Sequence, residues 1–339
     1  MLIAKKIIGG GENRQSNIEL CRIASIILVL FVHSAFAANG YPSELDKSTL
    51  WLISLESFSI IGVNVFIFIS GYFSIKLKPR TIYTIVLTVA FYFLLLTVFS
   101  LAMGEPIESK NLLFISNSHY FIIDYIGLAL LSPILNKFAE SASKKEFGIV
   151  LLSLVIYQVY FACITGVAGS EFDLGYSLMS FSIIYLIARY IKLYGVAEIF
   201  LKYSGTMYLV CTLSLIVASI LLIEFGFSGS LSRVYAYNNP IVIASSVFFF
   251  LFFKKWQIAD NMYINHMAKS TLGVLLIHAS KPAFPIWNVY KQWYCNLVGD
   301  ITFVSICYWI LSVIIVYLLA TFIDQIRIFL LDRILRTNK

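Results

Sequence analysis

Charged residues are scarce in this chain of 339 residues: Asp, Glu, Lys and Arg together make up 13%. A soluble domain of similar size carries about 25% charged and about 45–50% apolar residues. Here 60% of the residues are hydrophobic and 16% are aromatic, more than a soluble core can hold. The composition excludes an ordinary soluble enzyme and indicates a polytopic membrane protein that contacts lipid. We expect no nucleic-acid partner.

Cysteine is also rare, and its five positions form no pattern. The number is odd, and no two cysteines have the short spacing of metal ligands. Neither a disulfide framework nor a zinc site is indicated, and we expect no metal. No soluble domain and no internal repeat is visible in the sequence.

Long apolar runs dominate what remains, and each run of about 20 residues is a candidate membrane span. The sequence predicts an all-α integral membrane protein with about ten spans. These lie at 20–38, 52–75, 82–103, 120–137, 147–165, 176–191, 204–223, 237–253, 268–280 and 301–323.

The distribution of Lys and Arg predicts the orientation. With the N-terminus in the cytoplasm, 20 of the 25 basic residues fall in inner loops and tails. This excess follows the positive-inside rule and predicts that both termini are cytoplasmic. The predicted organisation is a tail at 1–19, a membrane domain at 20–325 and a basic tail at 326–339.

Arg22 and His33 flank the apolar run of the first span. Eleven positions at 100° each bring both side chains to one helix face, separated along the axis by roughly 16 Å. Glu19 can pair with Arg22 across one turn. Arg22 alone is explained equally well as an interfacial anchor, and His33 alone as an interhelical hydrogen-bonding residue. Because ionisable groups inside membranes are costly and often functional, the pair is more informative than either residue.

Further polar residues are predicted at the two ends of the spans. Those in the outer half are Glu56, His119, Asp124 and His278. Each is explained either by function or by a structural role, as a hydrogen-bonding or interfacially hydrated group. On the inner side, Arg80 and Arg189 follow the positive-inside rule, or they form a basic mouth for a phosphate-bearing ligand.

Five stretches, in order, resemble the acyltransferase-3 family of bacterial integral-membrane acyltransferases. They are "NIELCRIASIILVLFVH" (17–33), "GVNVFIFISGYF" (62–73), "HYFIIDYIGLALLSPILNK" (119–137), "GYSLMSFSIIYLIARYIKLY" (175–194) and "STLGVLLIH" (270–278). The resemblance covers nearly the whole chain, and the Gly-Val-Asn and Ser-Gly-Tyr pattern is most similar to the polysaccharide-modifying branch.

The resemblance implies ten spans in a bacterial inner membrane and transfer of an acyl group, usually acetyl, from cytoplasmic acyl-coenzyme A. The acceptor it implies is a hydroxyl of a surface glycan or of its lipid-linked precursor. Arg22 and His33 match the family directly, and Arg80 lies where members carry basic residues.

We therefore expect Arg22, Arg80 and Arg189 to bind acyl-coenzyme A and His33 to act as general base or as nucleophile. Glu56 or Asp124 would orient its imidazole. The residues expected at the acceptor are His119, His278 and Asn64, with Asn64 or Ser70 as a donor to the oxyanion.

Two other classes of protein fit the same spans. A transporter or flippase of glycolipid intermediates also needs many helices and buried ionisable residues. The absence of paired halves with interrupted helices is evidence against it. A regulatory or scaffold protein of polysaccharide assembly is the second alternative, and it would tolerate substitution of His33.

Overall fold

The protein is mainly helical over the residues that its computed structural model describes, which are 15–104, 120–165, 172–279, 284–299 and 301–337. In these ranges it forms no strand, so the predicted all-α class is confirmed. The α-helices there are α1 (Ser16–Ser34), α2 (Phe36–Asn39), α3 (Lys47–Ser59), α4 (Gly62–Phe73), α5 (Pro79–Ala102), α6 (Tyr120–Ser141), α7 (Lys144–Gln158), α8 (Leu178–Tyr194), α9 (Glu198–Lys202), α10 (Ser204–Glu224), α11 (Leu231–Val234), α12 (Pro240–Lys254), α13 (Met262–Met267), α14 (Thr271–Ala279), α15 (Phe284–Val298) and α16 (Phe303–Thr337).

Seven helical segments in the described ranges are long and apolar enough to cross a membrane. They are Ser16–Asn39, Lys47–Phe73, Thr81–Ala102, Tyr120–Ser141, Lys144–Ile164, Ser204–Glu224 and Phe303–Leu330. Each corresponds to one of the ten predicted spans.

The other three predicted spans form helices that are shorter than a typical span of about 20 residues. They are α8 with 17 residues, α12 with 15 and α14 with 9. The structure thus describes a multi-pass helical membrane protein, while the count of ten and the orientation of the termini stay predictions.

Helix α1 lies at the centre of the bundle, where it packs against α3, α4, α12, α14 and α16. Its contact with α4 depends on Gly62, where an added Cβ would lie 2.8 Å from Ser25 O and from Val29 Cγ2. Gly71 allows α4 an equally close approach to α8, at the backbone of Tyr185. Small residues are common where membrane helices meet closely. The two glycines therefore fix α4 between α1 and α8.

Several lysines predicted to be cytoplasmic meet at one end of the bundle. The ammonium groups of Lys192 and Lys254 lie 4.7 and 5.1 Å from the ring centre of Tyr72. The start of α1 is at the same end, because Asn17 Nδ2 donates to Phe253 O at 3.2 Å. The ends of α4, α8 and α12 thus share one side with the start of α1.

A buried ion pair within α16 holds that helix to α5 through hydrogen bonds. Arg327 Nε donates to Asp324 Oδ1 at 2.7 Å, and Tyr92 OH donates to the same oxygen at 2.6 Å. Arg327 also donates to Thr88 Oγ1 at 3.1 Å. We predicted Arg327 only as part of a basic tail after residue 325. In the structure α16 continues through this position, and Arg327 is buried.

Gly273 of α14 packs directly on the carboxylate of Asp324, and a Cβ added there would collide with Asp324 Oδ1. We predict that Gly273→Ala displaces this carboxylate and lowers stability by about 1–3 kcal/mol, the typical cost of overpacking. The measurement is the apparent melting temperature of purified protein in detergent, followed by size-exclusion chromatography.

Gly148→Ala is the matched control, because an added Cβ would lie 3.6 Å from Tyr190 Oη, an ordinary contact. This control is expected to melt at or above the wild-type temperature, since alanine favours helix over glycine. Equal melting temperatures for the two variants would contradict the proposed crowding at Gly273.

Candidate active site

A cavity of about 800 Å³ lies beside α1, and its wall is formed by side chains from α1, α4, α5, α6, α14 and α15, with others from the turn before α14. Arg22 and His33 both line this cavity. The shared helix face predicted from their spacing is thus the face that α1 presents to the cavity.

The two ends of the cavity differ in chemistry. Arg22 and Lys269 lie near the start of α1, where Ser16 Oγ donates to Asn265 Oδ1 at 3.0 Å. His33 and His278 lie near the end of α1. The wall between the two ends is mainly apolar and includes Ile26, Val29, Ile85, Leu272 and Leu275.

The two histidines form a direct hydrogen bond, with 2.8 Å between His33 Nδ1 and His278 Nε2. The other ring nitrogen of His278, Nδ1, lies 2.6 Å from Val274 O. His278 is buried, and the centres of the two rings are 4.9 Å apart. A hydrogen-bond chain therefore runs from the carbonyl of Val274 through His278 to His33, which lines the cavity.

Trp287 of α15 completes the wall beside His33. Its ring is nearly perpendicular to the imidazole, with 5.8 Å between centres, and it also lines the cavity. Tyr290 stacks on Trp287 and donates from its hydroxyl to Leu30 O at 2.8 Å. The hydrogen bond to Leu30 ties α15 to α1 within one turn of His33.

His33 is near the end of a regular helix, and buried polar groups hold that end in place. α1 stops at Ser34 because Ala35 adopts φ −88° and ψ −111°, outside the helical region. Trp309 Nε1 donates to Ser34 Oγ at 2.8 Å. Beyond the break, the backbone N–H of Phe36 donates to Glu56 Oε2 at 3.3 Å.

Glu56 therefore bonds to the backbone three residues after His33 and not to the His33 ring. Asp124, the other carboxylate predicted to orient His33, is partly exposed on α6 and outside the cavity wall. The residue that bonds to the His33 ring is His278, which we had predicted at the acceptor.

Of the three arginines predicted at the donor, Arg22 lines the cavity and pairs with Glu19 at 3.0 Å. Arg189 is buried elsewhere and pairs with Glu140 at 3.0 Å. Arg80 is the second residue of α5, and its side chain lies outside the described residues, whereas the next residue, Thr81, lines the cavity.

Of the remaining predicted residues, Ser70 lines the cavity, whereas Asn64 lies away from it and His119 is outside the described residues. Asn64 is fully buried, and its Nδ2 donates to Tyr237 O at 2.7 Å, so this amide group holds α4 to the loop before α12. Ser70 lines the cavity and donates to Phe66 O at 2.9 Å. His119 lies outside the described residues.

Several cavity residues were not recognised in the sequence. Lys269 was counted only as a positive-inside residue, and Trp287, Tyr120 and Tyr125 were not singled out, yet all four line the cavity. Among the described residues, no group of three or more His, Cys, Asp or Glu side chains could hold a metal ion.

The fold and the cavity define a multi-pass helical membrane protein with an internal, histidine-containing site. The family model described as an acyltransferase domain, that of the acyltransferase-3 family, matches residues 15–324. The chain belongs to this family, and its membership supports membrane acyltransferase activity. No curated protein and no solved structure matches the chain significantly.

Glu56→Gln tests whether the carboxylate acts in catalysis or in holding the break after α1. Glutamine keeps an oxygen that accepts from Phe36 N–H, so we predict nearly wild-type acyltransferase activity. Loss of an essential acid–base group would instead lower the transfer rate by a factor on the order of 10²–10⁴. The measurement is initial transfer rate at saturating acyl donor.

Glu56→Leu is the control that removes the acceptor. It leaves the Phe36 N–H buried without this partner, which typically costs about 1–3 kcal/mol, and should lower the melting temperature. A Glu56→Gln protein that folds normally yet shows no activity would contradict this prediction and show that the carboxylate takes part in the reaction.

Proposed function

We propose that the protein transfers an acyl group, acetyl in the simplest case, from acyl-coenzyme A to a hydroxyl of a cell-surface glycan or its lipid-linked precursor. One observation carries this proposal: a single cavity joins a basic end, with Arg22 and Lys269, to a histidine at the other end. The predicted setting is a bacterial cytoplasmic membrane, with the basic end facing the cytoplasm.

Arg22 and Lys269 suit the donor's phosphates, because charge-assisted hydrogen bonds to phosphate are short and strong. Arg189 is outside the cavity wall. The donor site therefore rests on Arg22, which also pairs with Glu19, and on Lys269, the two cationic side chains that line the cavity. The rise of α1 puts roughly 16 Å between Arg22 and His33, which suits an extended pantetheine arm. Its thioester would then lie beside His33.

His33 supplies the chemistry in this proposal. As general base, its neutral imidazole takes the proton of the acceptor hydroxyl while the oxygen attacks the thioester carbonyl carbon. The C–S bond then breaks, and the leaving thiolate takes the proton back from the imidazolium. The alternative is nucleophilic catalysis, in which His33 carries the acyl group between donor and acceptor.

The acceptor would enter at the histidine end, beside Trp287 and Tyr120. Both residues line the cavity, and each combines an apolar ring with a polar group that can donate a hydrogen bond. That combination suits a sugar, which has apolar C–H faces and hydroxyl edges. The chemistry of this mouth thus supports a glycan acceptor.

The direct test uses purified protein and acetyl-coenzyme A carrying a radiolabelled acetyl group. Wild-type protein should release labelled acetate slowly to water, or carry the label itself, and His33→Ala should do neither. His266→Ala is the matched control, because His266 is exposed and outside the cavity wall. A His33→Ala protein as active as wild type would refute the proposed mechanism.

Substitution of Arg22 or Lys269 by Ala tests the donor site. Losing a charge-assisted hydrogen bond to phosphate typically costs about 1.5–3 kcal/mol, so KM for acetyl-coenzyme A should rise about 10-fold or more. With acetyl-pantetheine, which lacks the phosphates, the variants should match wild type. Initial rates over a range of each donor provide the comparison.

Lys255→Ala is the control for loss of a positive charge at the same end. Its ammonium group donates to Lys202 O at 3.4 Å and is outside the cavity wall. The donor site is wrong if Lys255→Ala raises KM as much as Lys269→Ala, or if the effect persists with acetyl-pantetheine.

A further inference from the structure

We propose that His278 is a positioning residue, which holds His33 as the Nδ1–H tautomer and leaves Nε2 as its basic nitrogen. This inference rests on the proposed function, because it concerns the state in which His33 removes a proton. It replaces the predicted role of His278 at the acceptor with a role that acts through His33.

The tautomers follow from a hydrogen-bond chain that begins at a backbone carbonyl. Val274 O can only accept, so His278 Nδ1, which lies 2.6 Å away, must carry the proton. In a neutral His278 the other nitrogen, Nε2, then has a lone pair and accepts. His33 Nδ1, at 2.8 Å from it, must be the donor.

Of the four ring nitrogens of the two histidines, only His33 Nε2 is not assigned by these two hydrogen bonds. His33 Nδ1 carries the shared proton, so the lone pair of His33 is on Nε2. Because His33 lines the cavity and His278 occupies its Nδ1 side, Nε2 is the nitrogen available to a bound substrate. The base is therefore ready without any rearrangement of protons.

The surroundings keep the two rings in this arrangement. Val274 is one turn before His278 on α14, so the first bond lies within a single helix. His278 is 3% exposed, which leaves water little access to compete for its nitrogens. Trp287 packs edge to face with the His33 ring and limits its rotation.

A neutral histidine orients His33 without adding a charge to the apolar interior. A carboxylate in the same place would fix the tautomer, but it would be a buried charge that needs a partner before the reaction begins. When His33 Nε2 takes the hydroxyl proton, the imidazolium keeps donating from Nδ1 to His278. No covalent bond of His278 changes in the cycle.

The tautomer of His33 is directly measurable by nitrogen NMR of protein labelled with ¹⁵N-histidine. The chain has 4 histidines, so the spectrum is simple, and the His33 signals are those lost in His33→Ala. Wild-type His33 should show a protonated Nδ1 and an unprotonated Nε2. The opposite tautomer in wild type would overturn the inference without any activity measurement.

Two variants of similar shape separate hydrogen bonding from packing. His278→Gln offers an amide oxygen to His33 Nδ1 if its NH₂ group replaces the donor to Val274 O. His278→Met fills similar space without that acceptor. We expect His278→Met to give mixed tautomers and a kcat lower by on the order of 10²–10⁴-fold, with KM for acetyl-coenzyme A unchanged. His278→Gln should restore the Nδ1–H tautomer of His33 and most of the wild-type kcat.

The outcomes distinguish this inference from the proposed function. If wild type transfers acetyl and His278→Met is equally fast with an unchanged tautomer, the positioning role is wrong and the function stands. If no protein transfers acetyl while the tautomer follows residue 278, the function is wrong and the hydrogen-bond chain stands. Should His278→Met fail to fold, the wild-type spectrum and His278→Gln still decide.

Discussion

A polar group inside an apolar helical bundle must find its partner within the protein, because lipid offers none. This constraint explains the unexpected contacts of the structure. Arg327 pairs with Asp324, Arg189 pairs with Glu140, and His33 bonds to His278. Neither Arg327 nor Arg189 is part of the cavity wall. Only the third pair lies on the cavity wall, and the proposed chemistry therefore rests on it.

The spacing of Arg22 and His33 was informative because it depends on local geometry alone. Both residues are on one unbroken helix, so 100° per residue predicts a common face, and the cavity lies along that face. The helical class and seven spans followed from apolar runs for the same reason. Features that depend on a single helix can therefore be predicted from the sequence.

Partners across the bundle were not predictable in this way. His33 and His278 are 245 positions apart, and no periodicity relates them. Glu56 was expected at His33, yet it accepts from the backbone of Phe36, because the break after α1 leaves that N–H in need of an acceptor. The break itself has no strong signal in the residues that form it.

Lys269 illustrates a second limit. Nine residues of regular α-helix would rotate it 180° from His278, to the opposite face. The 3-10 turn at Ala268–Ser270 advances 120° per residue, which changes that angle by only about 20° per residue and leaves the two side chains on different faces. Both residues nevertheless line one cavity, so helical periodicity did not predict that Lys269 belongs to it.

Two interruptions in helical structure lie beside the proposed site. Irregular backbone at membrane depth is tolerated where it is buried in protein or lines a cavity. The break after α1 is buried at Ala35 and lies beside His33. The 3-10 turn is held by Gln325, which donates to Ser270 Oγ at 2.7 Å, and it presents Lys269. Each end of the cavity thus lies beside a local departure from the α-helix that the surrounding bundle stabilises, while Arg22 and His33 themselves are on the regular part of α1.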